Sequence, residues 1–168
     1  MSDSTRSTAS FEARRSRARP ASTRWNATVE KPLQSPRPLV LVAAQGPKAI
    51  RVAARRADIW NTLGGQPIDG ERRTLDEAIE ETRRQVELLE RTCLEIGRVP
   101  GTIRRSVLTF RNGIYQSIDA FDTWVGRMLE TGIHEFVVGY PGGDPRAEAI
   151  FERFATDSMP RLRATTVG

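Results

Sequence analysis

Short apolar runs alternate with helix-spaced stretches along this chain. Leu39-Val-Leu-Val-Ala43 is uniformly apolar, as a strand covered on both faces is. It stops at Ala44-Gln45-Gly46. From Pro47 to Ala57 the positions Ile50, Ala53, Ala54 and Ala57 follow helical spacing. A second short strand is predicted around Ala57–Asn61, and Gly and Pro mark 66–73 as a loop. From Leu75 to Ile96 one stripe runs through Leu75, Ile79, Thr82, Val86, Leu89, Cys93 and Ile96. Thr74 and Glu77 make a capping box at its start. Gly97 supplies a left-handed stop and Pro100 prevents continuation.

The alternation continues beyond that helix. Ile103–Phe110 reads as a strand. Ser117 or Asp119 opens a helix with Ile118, Phe121, Val125, Met128 and Leu129 inward, and Gly132 ends it. Ile133–Gly139 is the next strand. Asp144-Pro145 is a cap followed by Pro in the first turn, and Ile150, Phe151 and Phe154 carry the last helix. The order β-α-β-α-β-α-β-α implies an α/β fold with a parallel sheet and right-handed crossovers. Four such units are half of an eightfold barrel.

Composition adds little until charge is located. The chain has 168 residues and a formal net charge of +5, within one domain of ordinary size. The first 24 residues hold six Arg against Asp3 and Glu12, so most of the excess belongs to the tail. Residues 1–30 are therefore expected to be a basic tail, disordered by default, and 31–168 the folded part. A transit peptide and a nucleic-acid arm are weaker readings of the same segment. Arginine outnumbers lysine by 24 to 2, a bias we ascribe to a GC-rich genome. No apolar run approaches the ~20 residues that span a bilayer. Cys93 is the only cysteine, so no internal disulfide forms, burial is its expected fate, and a reducing cytoplasm is the natural setting.

Ligands of parallel α/β proteins bind at the carboxyl ends of strands. Ala43, Ala44, Gln45 and Gly46 lie at such an end and open a helix. Their small side chains let backbone N–H groups approach an anion, and tight packing of the turn is the plainer alternative. Trp60, Asn61 and Thr62 lie at the next end. There an indole, an amide and a hydroxyl would wall a flat heterocycle, or the Trp is buried and closes the mouth. Asp58 is expected to bond neighbouring backbone or an Arg. Gly139-Tyr-Pro-Gly-Gly143 closes over a ligand or simply turns the chain. His134, the one histidine, falls away from the expected mouth, with a surface or capping role. The sequence shows no Ser-His-Asp set, metal cluster, Walker-type loop or carboxylate pair, so redox chemistry on this fold needs a cofactor.

Taken together, several segments resemble the C-terminal half of the luciferase-like monooxygenase family, nearest its FMN- or deazaflavin-using bacterial branch. They are Pro36-Arg-Pro-Leu-Val-Leu-Val-Ala-Ala-Gln-Gly-Pro-Lys48, Ala53-Ala-Arg-Arg-Ala-Asp-Ile-Trp-Asn-Thr62, Cys93-Leu-Glu-Ile-Gly-Arg-Val-Pro100, Ile103-Arg-Arg-Ser106 and Gly132-Ile-His-Glu-Phe-Val-Val138. Phe11-Glu-Ala-Arg-Arg15 is similar to the segment that precedes the family's fifth strand. The resemblance implies strands five to eight of a TIM-type barrel. It implies that Ala43, Ala44, Gln45 and Gly46 grip a cofactor phosphate and that Trp60, Asn61 and Thr62 line the same pocket. It places no catalytic residue on this chain, since the family's active-site histidine or acid lies on strands one to four. Three functions follow in order: a flavin- or deazaflavin-dependent oxidoreductase acting on a small organic substrate; a non-catalytic half-barrel that needs a second copy or an N-terminal half; and nucleic-acid binding through the tail.

Overall fold

A computed structural model describes residues 34–109 and 112–165. The expectations for residues 1–30, including the tail, its nucleic-acid reading and the Phe11–Arg15 segment, lie outside the described residues. The described residues from Pro36 onward form one compact unit. Its elements are β1 (Leu41–Ala43), α1 (Pro47–Arg56), β2 (Ile59–Thr62), α2 (Leu75–Glu95), β3 (Arg104–Thr109), α3 (Ile118–Glu130), β4 (Glu135–Val138), α4 (Pro145–Arg153) and α5 (Met159–Thr165). One π turn, Phe154–Ser158, joins α4 to α5. The strands pair in parallel and in sequential order, β1-β2-β3-β4. The fold is thus α/β with a parallel four-stranded sheet.

Local chemistry explains the boundaries. Thr74 accepts from the Glu77 N–H while Glu77 reaches back to the Thr74 N–H, so the capping box holds both ends. Ser117 caps α3 through the Ala120 N–H, and Asp144 caps α4 through Arg146 and Ala147. Gly97 and Gly132 end α2 and α3 with positive φ, the conformation an L side chain resists. Arg98 donates to the carbonyls of Ala54 and Ala57 at 2.9 and 2.7 Å, so the end of α1 is capped from the turn after α2.

The two faces of the sheet differ. Register and the two-residue period of strands put Trp60, Thr62, Arg105, Val107 and Phe136 on one face. That face carries the helices: Thr62 bonds Gln85 of α2, Arg105 pairs with Glu90 of α2, and Trp124 of α3 packs edge-on against Phe136. The core lies here, with Ile50, Trp60, Ile79, Leu89, Phe121, Met128 and Ile133 buried. The other face carries Leu41, Ala43, Ile59, Asn61, Ser106, Leu108, Glu135 and Val137. Among the described residues no helix packs on it, and Leu41 and Val137 are 52% and 49% exposed.

Candidate functional site at the carboxyl ends of the strands

The carboxyl ends of the strands form one rim. At β1 the chain leaves through Ala43, Ala44, Gln45 and Gly46 into α1. Gly46 has extended backbone and no side-chain cap, Pro47 fills the first turn, and no acidic group stands there. By contrast α2, α3 and α4 each have a capping side chain and an acid in the first turn. The positive end of α1 is therefore uncompensated, with Lys48 exposed in its first turn. A Cβ built on Gly46 meets nothing within 4 Å, so the space beside it is open. Ala44 is turned inward, and its N–H is held by the Asn61 carbonyl at 2.9 Å.

The second group divides between the two faces. Trp60 is fully buried on the helix side, and its indole N–H donates to the Ala44 carbonyl at 2.9 Å. Thr62 is buried on the same side and donates to Gln85 at 2.6 Å. Asn61 alone faces the inner side, where its amide donates to Ser106 at 2.8 Å. The structure thus ties Trp60 to the β1 turn and brings Asn61 to the inner face, rather than building one wall from all three. Ser106 and Gln85 complete this set. Nothing in the local sequence marks them, because their partners stand 45 and 23 residues away.

The remaining rim is held firmly. After β2, Gly64 and Gly65 have positive φ, and a Cβ at Gly65 would overlap the Ala78 carbonyl. Gln66 bonds both the N–H and the carbonyl of Arg73, and Arg73 donates back to Gly65. This loop and the start of α3 enclose a cavity of about 450 Å³ lined by Gly64, Gln66, Arg72, Thr109, Gln116 and Trp124, among others. After β4, Tyr115 donates to the Gly139 carbonyl and Glu148 accepts from the Gly143 N–H. Tyr140 stacks edge-on against Phe151 with centroids 5.3 Å apart. Loss of solvation, with Glu148 nearby, pushes its phenol pKa up. The Gly139–Gly143 loop is therefore pinned to α4.

At the opposite end of the strands the chemistry is structural. Asp58 accepts two bonds from Arg37 and one from the Val40 N–H. These bonds hold its pKa down at about 2. His134 stands exposed at the foot of β4. Cys93 is buried on α2, and burial raises its thiol pKa. Among the described residues no three His, Cys, Asp or Glu converge as a metal site, and no helix is long and apolar enough to cross a membrane.

No family model matches the chain, and no curated protein matches it. Solved structures do. The coenzyme F420 dependent tetrahydromethanopterin reductase from Methanopyrus kandleri superposes with a TM-score of 0.55 at 13% identity, over 74% of this chain and 51% of that one. An F420-dependent secondary alcohol dehydrogenase, solved in complex with an F420-acetone adduct, superposes at 0.51 with 12% identity, over 67% and 46%. Both are of the TIM-barrel type. At these identities the likeness establishes the fold. The chain spans about half the length of the solved structures it matches.

Proposed function

We propose that this chain contributes the phosphate side of a cofactor pocket in a deazaflavin-dependent oxidoreductase of the luciferase-like type. The observation that carries the reading is the uncapped start of α1. Alone among α1–α4 it lacks a side-chain cap and a first-turn acid. It sits at the carboxyl end of a parallel strand beside open space and Lys48. That is the chemistry an anionic group selects. The F420-dependent enzymes with the same fold favour a deazaflavin over FMN as the guest.

The residues fit such a group. The backbone N–H groups of Gln45 and Gly46 would hold its phosphate, with Ala43 and Ala44 shaping the turn, since the Ala44 N–H is already held by the Asn61 carbonyl. Asn61 would face the ring from the inner side, while Trp60 and Thr62 keep the β1 turn and β2 in place from behind. A bound deazaflavin would supply hydride transfer to or from a small organic substrate, and the protein would orient it and exclude water. Oxygen chemistry of the monooxygenase kind, with FMN, is the narrower variant.

Fluorescence titration with coenzyme F420 and, separately, with FMN tests the reading. Saturable quenching by F420 is expected, weakened about tenfold, or 1.4 kcal/mol, by a carboxylate placed at the helix start in Gly46→Asp. No quenching and no binding heat at high micromolar F420 would reject it. A second reading is favoured by the open inner face: a half-barrel without independent catalysis that requires a partner to complete its pocket. Binding of cofactor only in the presence of a complementing polypeptide would support that one.

A further inference from the structure

Both edges of the sheet end without a neighbouring strand among the described residues. At the β1 edge Leu39, Val40 and Leu41 are 58%, 42% and 52% exposed in succession. The Val40 N–H and carbonyl are turned toward the β2 side, where they meet Asp58 and Ile59. By the alternation of a strand, the N–H and carbonyl of Leu41 then point out of the sheet. Beside β4 runs an apolar groove of about 680 Å³, lined by Phe121, Val125, Leu129, Phe136, Val138 and Met159, with Arg104, His134 and Glu135 on its rim.

These two edges fit each other. A strand added in parallel to β4 must send alternate side chains into the groove and the others against Val137. β1 carries that pattern, with Val40 and Val42 on the helix side and Leu39 and Leu41 on the inner side. Parallel pairing also sets the amino-terminal end of β1 beside that of β4. There the Arg37–Asp58 ion pair of one copy comes near the Arg104–Glu135 pair of the other, so charges of both signs meet at the foot of the groove.

The geometry points to a two-fold dimer of this chain in which β1 of each copy pairs with β4 of the other, closing eight parallel strands into one barrel. A two-fold axis along the barrel makes both seams identical. Closure removes every sheet edge. It covers the inner faces of both sheets, including the half-exposed Leu41 and Val137 of each copy. The chain spans about half the length of the solved structures of this fold that it matches, which agrees with two copies in one barrel. This inference rests on the strand edges and not on the cofactor reading.

Sedimentation equilibrium of the full chain without cofactor tests it. The expected mass is twice the 18.8 kDa of one chain. Leu41→Lys with Val137→Lys should release monomers of unchanged far-UV circular dichroism. Should that variant not fold, mixing Leu41→Cys protein with Val137→Cys protein and a short bis-maleimide should cross-link position 41 to position 137 between copies, Cys93 being buried. A monomer at micromolar concentration would overturn the proposal. So would a dimer without the 41–137 cross-link, or association only with a second, different polypeptide. Because no cofactor is present, failure here and failure of F420 binding are separate results.

Discussion

The helix face and the inner face of the same four strands solve different problems. The helix face is packed to completion around Trp60, Val107, Phe121 and Met128, all within 1% of full burial. Its polar members are satisfied inside it, Thr62 by Gln85 and Trp60 by the Ala44 carbonyl. The inner face carries small and polar groups at the level of Ala43, Asn61, Ser106 and Glu135, with half-exposed aliphatics on either side. The first face makes the chain fold. The second is where a ligand or another set of strands has room. A parallel sheet ordinarily covers both faces, whereas among the described residues helices cover only one.

That contrast can be broken most sharply at Trp60. Trp60→Ala removes the largest fully buried side chain and a buried hydrogen bond, and chemical denaturation should show a loss of about 3–5 kcal/mol. Gly65→Ala forces a side chain into the Ala78 carbonyl with positive φ, and should cost about 2 kcal/mol or more in the same assay. Thr62→Val leaves the Gln85 carbonyl oxygen without its donor at a cost of ~1–3 kcal/mol. The double variant with Gln85→Leu should recover part of it, which a purely steric effect would not allow.

The foot of the sheet gives a pH test. The Asp58 pKa is about 2 in the folded chain, against an ordinary 3.8, because Arg37 first and the Val40 N–H second hydrogen-bond its charged form. A depressed carboxyl contributes stability above its unfolded pKa and loses it as pH falls toward the folded value. Thermal midpoints should therefore drop between about pH 4 and pH 2, and Asp58→Asn should flatten that part of the profile. The smallest effect is on the outer surface of α2. Glu80 pairs with Arg83 and Arg84 where all three side chains are well exposed, and Glu80→Gln should cost no more than about 0.5 kcal/mol.

The element order and most helix boundaries could be read directly from residues. Thr74 with Glu77, Ser117 and Asp144 carry their capping chemistry locally, and the structure starts helices at each of them. The loop character of 66–73 and a structural role for Asp58, bonded to backbone or an Arg, are equally legible; that the Arg is Arg37 comes from the fold. Less visible was anything that depends on a distant partner. The apolar run predicts a strand from Leu39, whereas β1 proper begins at Leu41, with Val40 already bonded to Ile59. The burial of Trp124 has no local signature, since packing against Phe121 and Phe136 is what covers it. Trp60, Asn61 and Thr62 are adjacent in sequence, but the strand period sends the middle residue to the face opposite the other two. The π turn between α4 and α5 has no periodic signature at all.

That turn has a mechanical consequence. Within Phe154–Ser158 the backbone bonds reach five residues back rather than four, so one extra residue is taken up without breaking the helix. Phe154 and Ser158 both end up buried, and the chain beyond them is rotated in phase. Deleting a single residue from the segment would restore the α repeat and swing Met159 and Leu162 about 100° around the helix axis. The extra residue thus acts as a phase setting, deciding whether the last helix turns its aliphatic side chains toward the edge of the sheet or toward water.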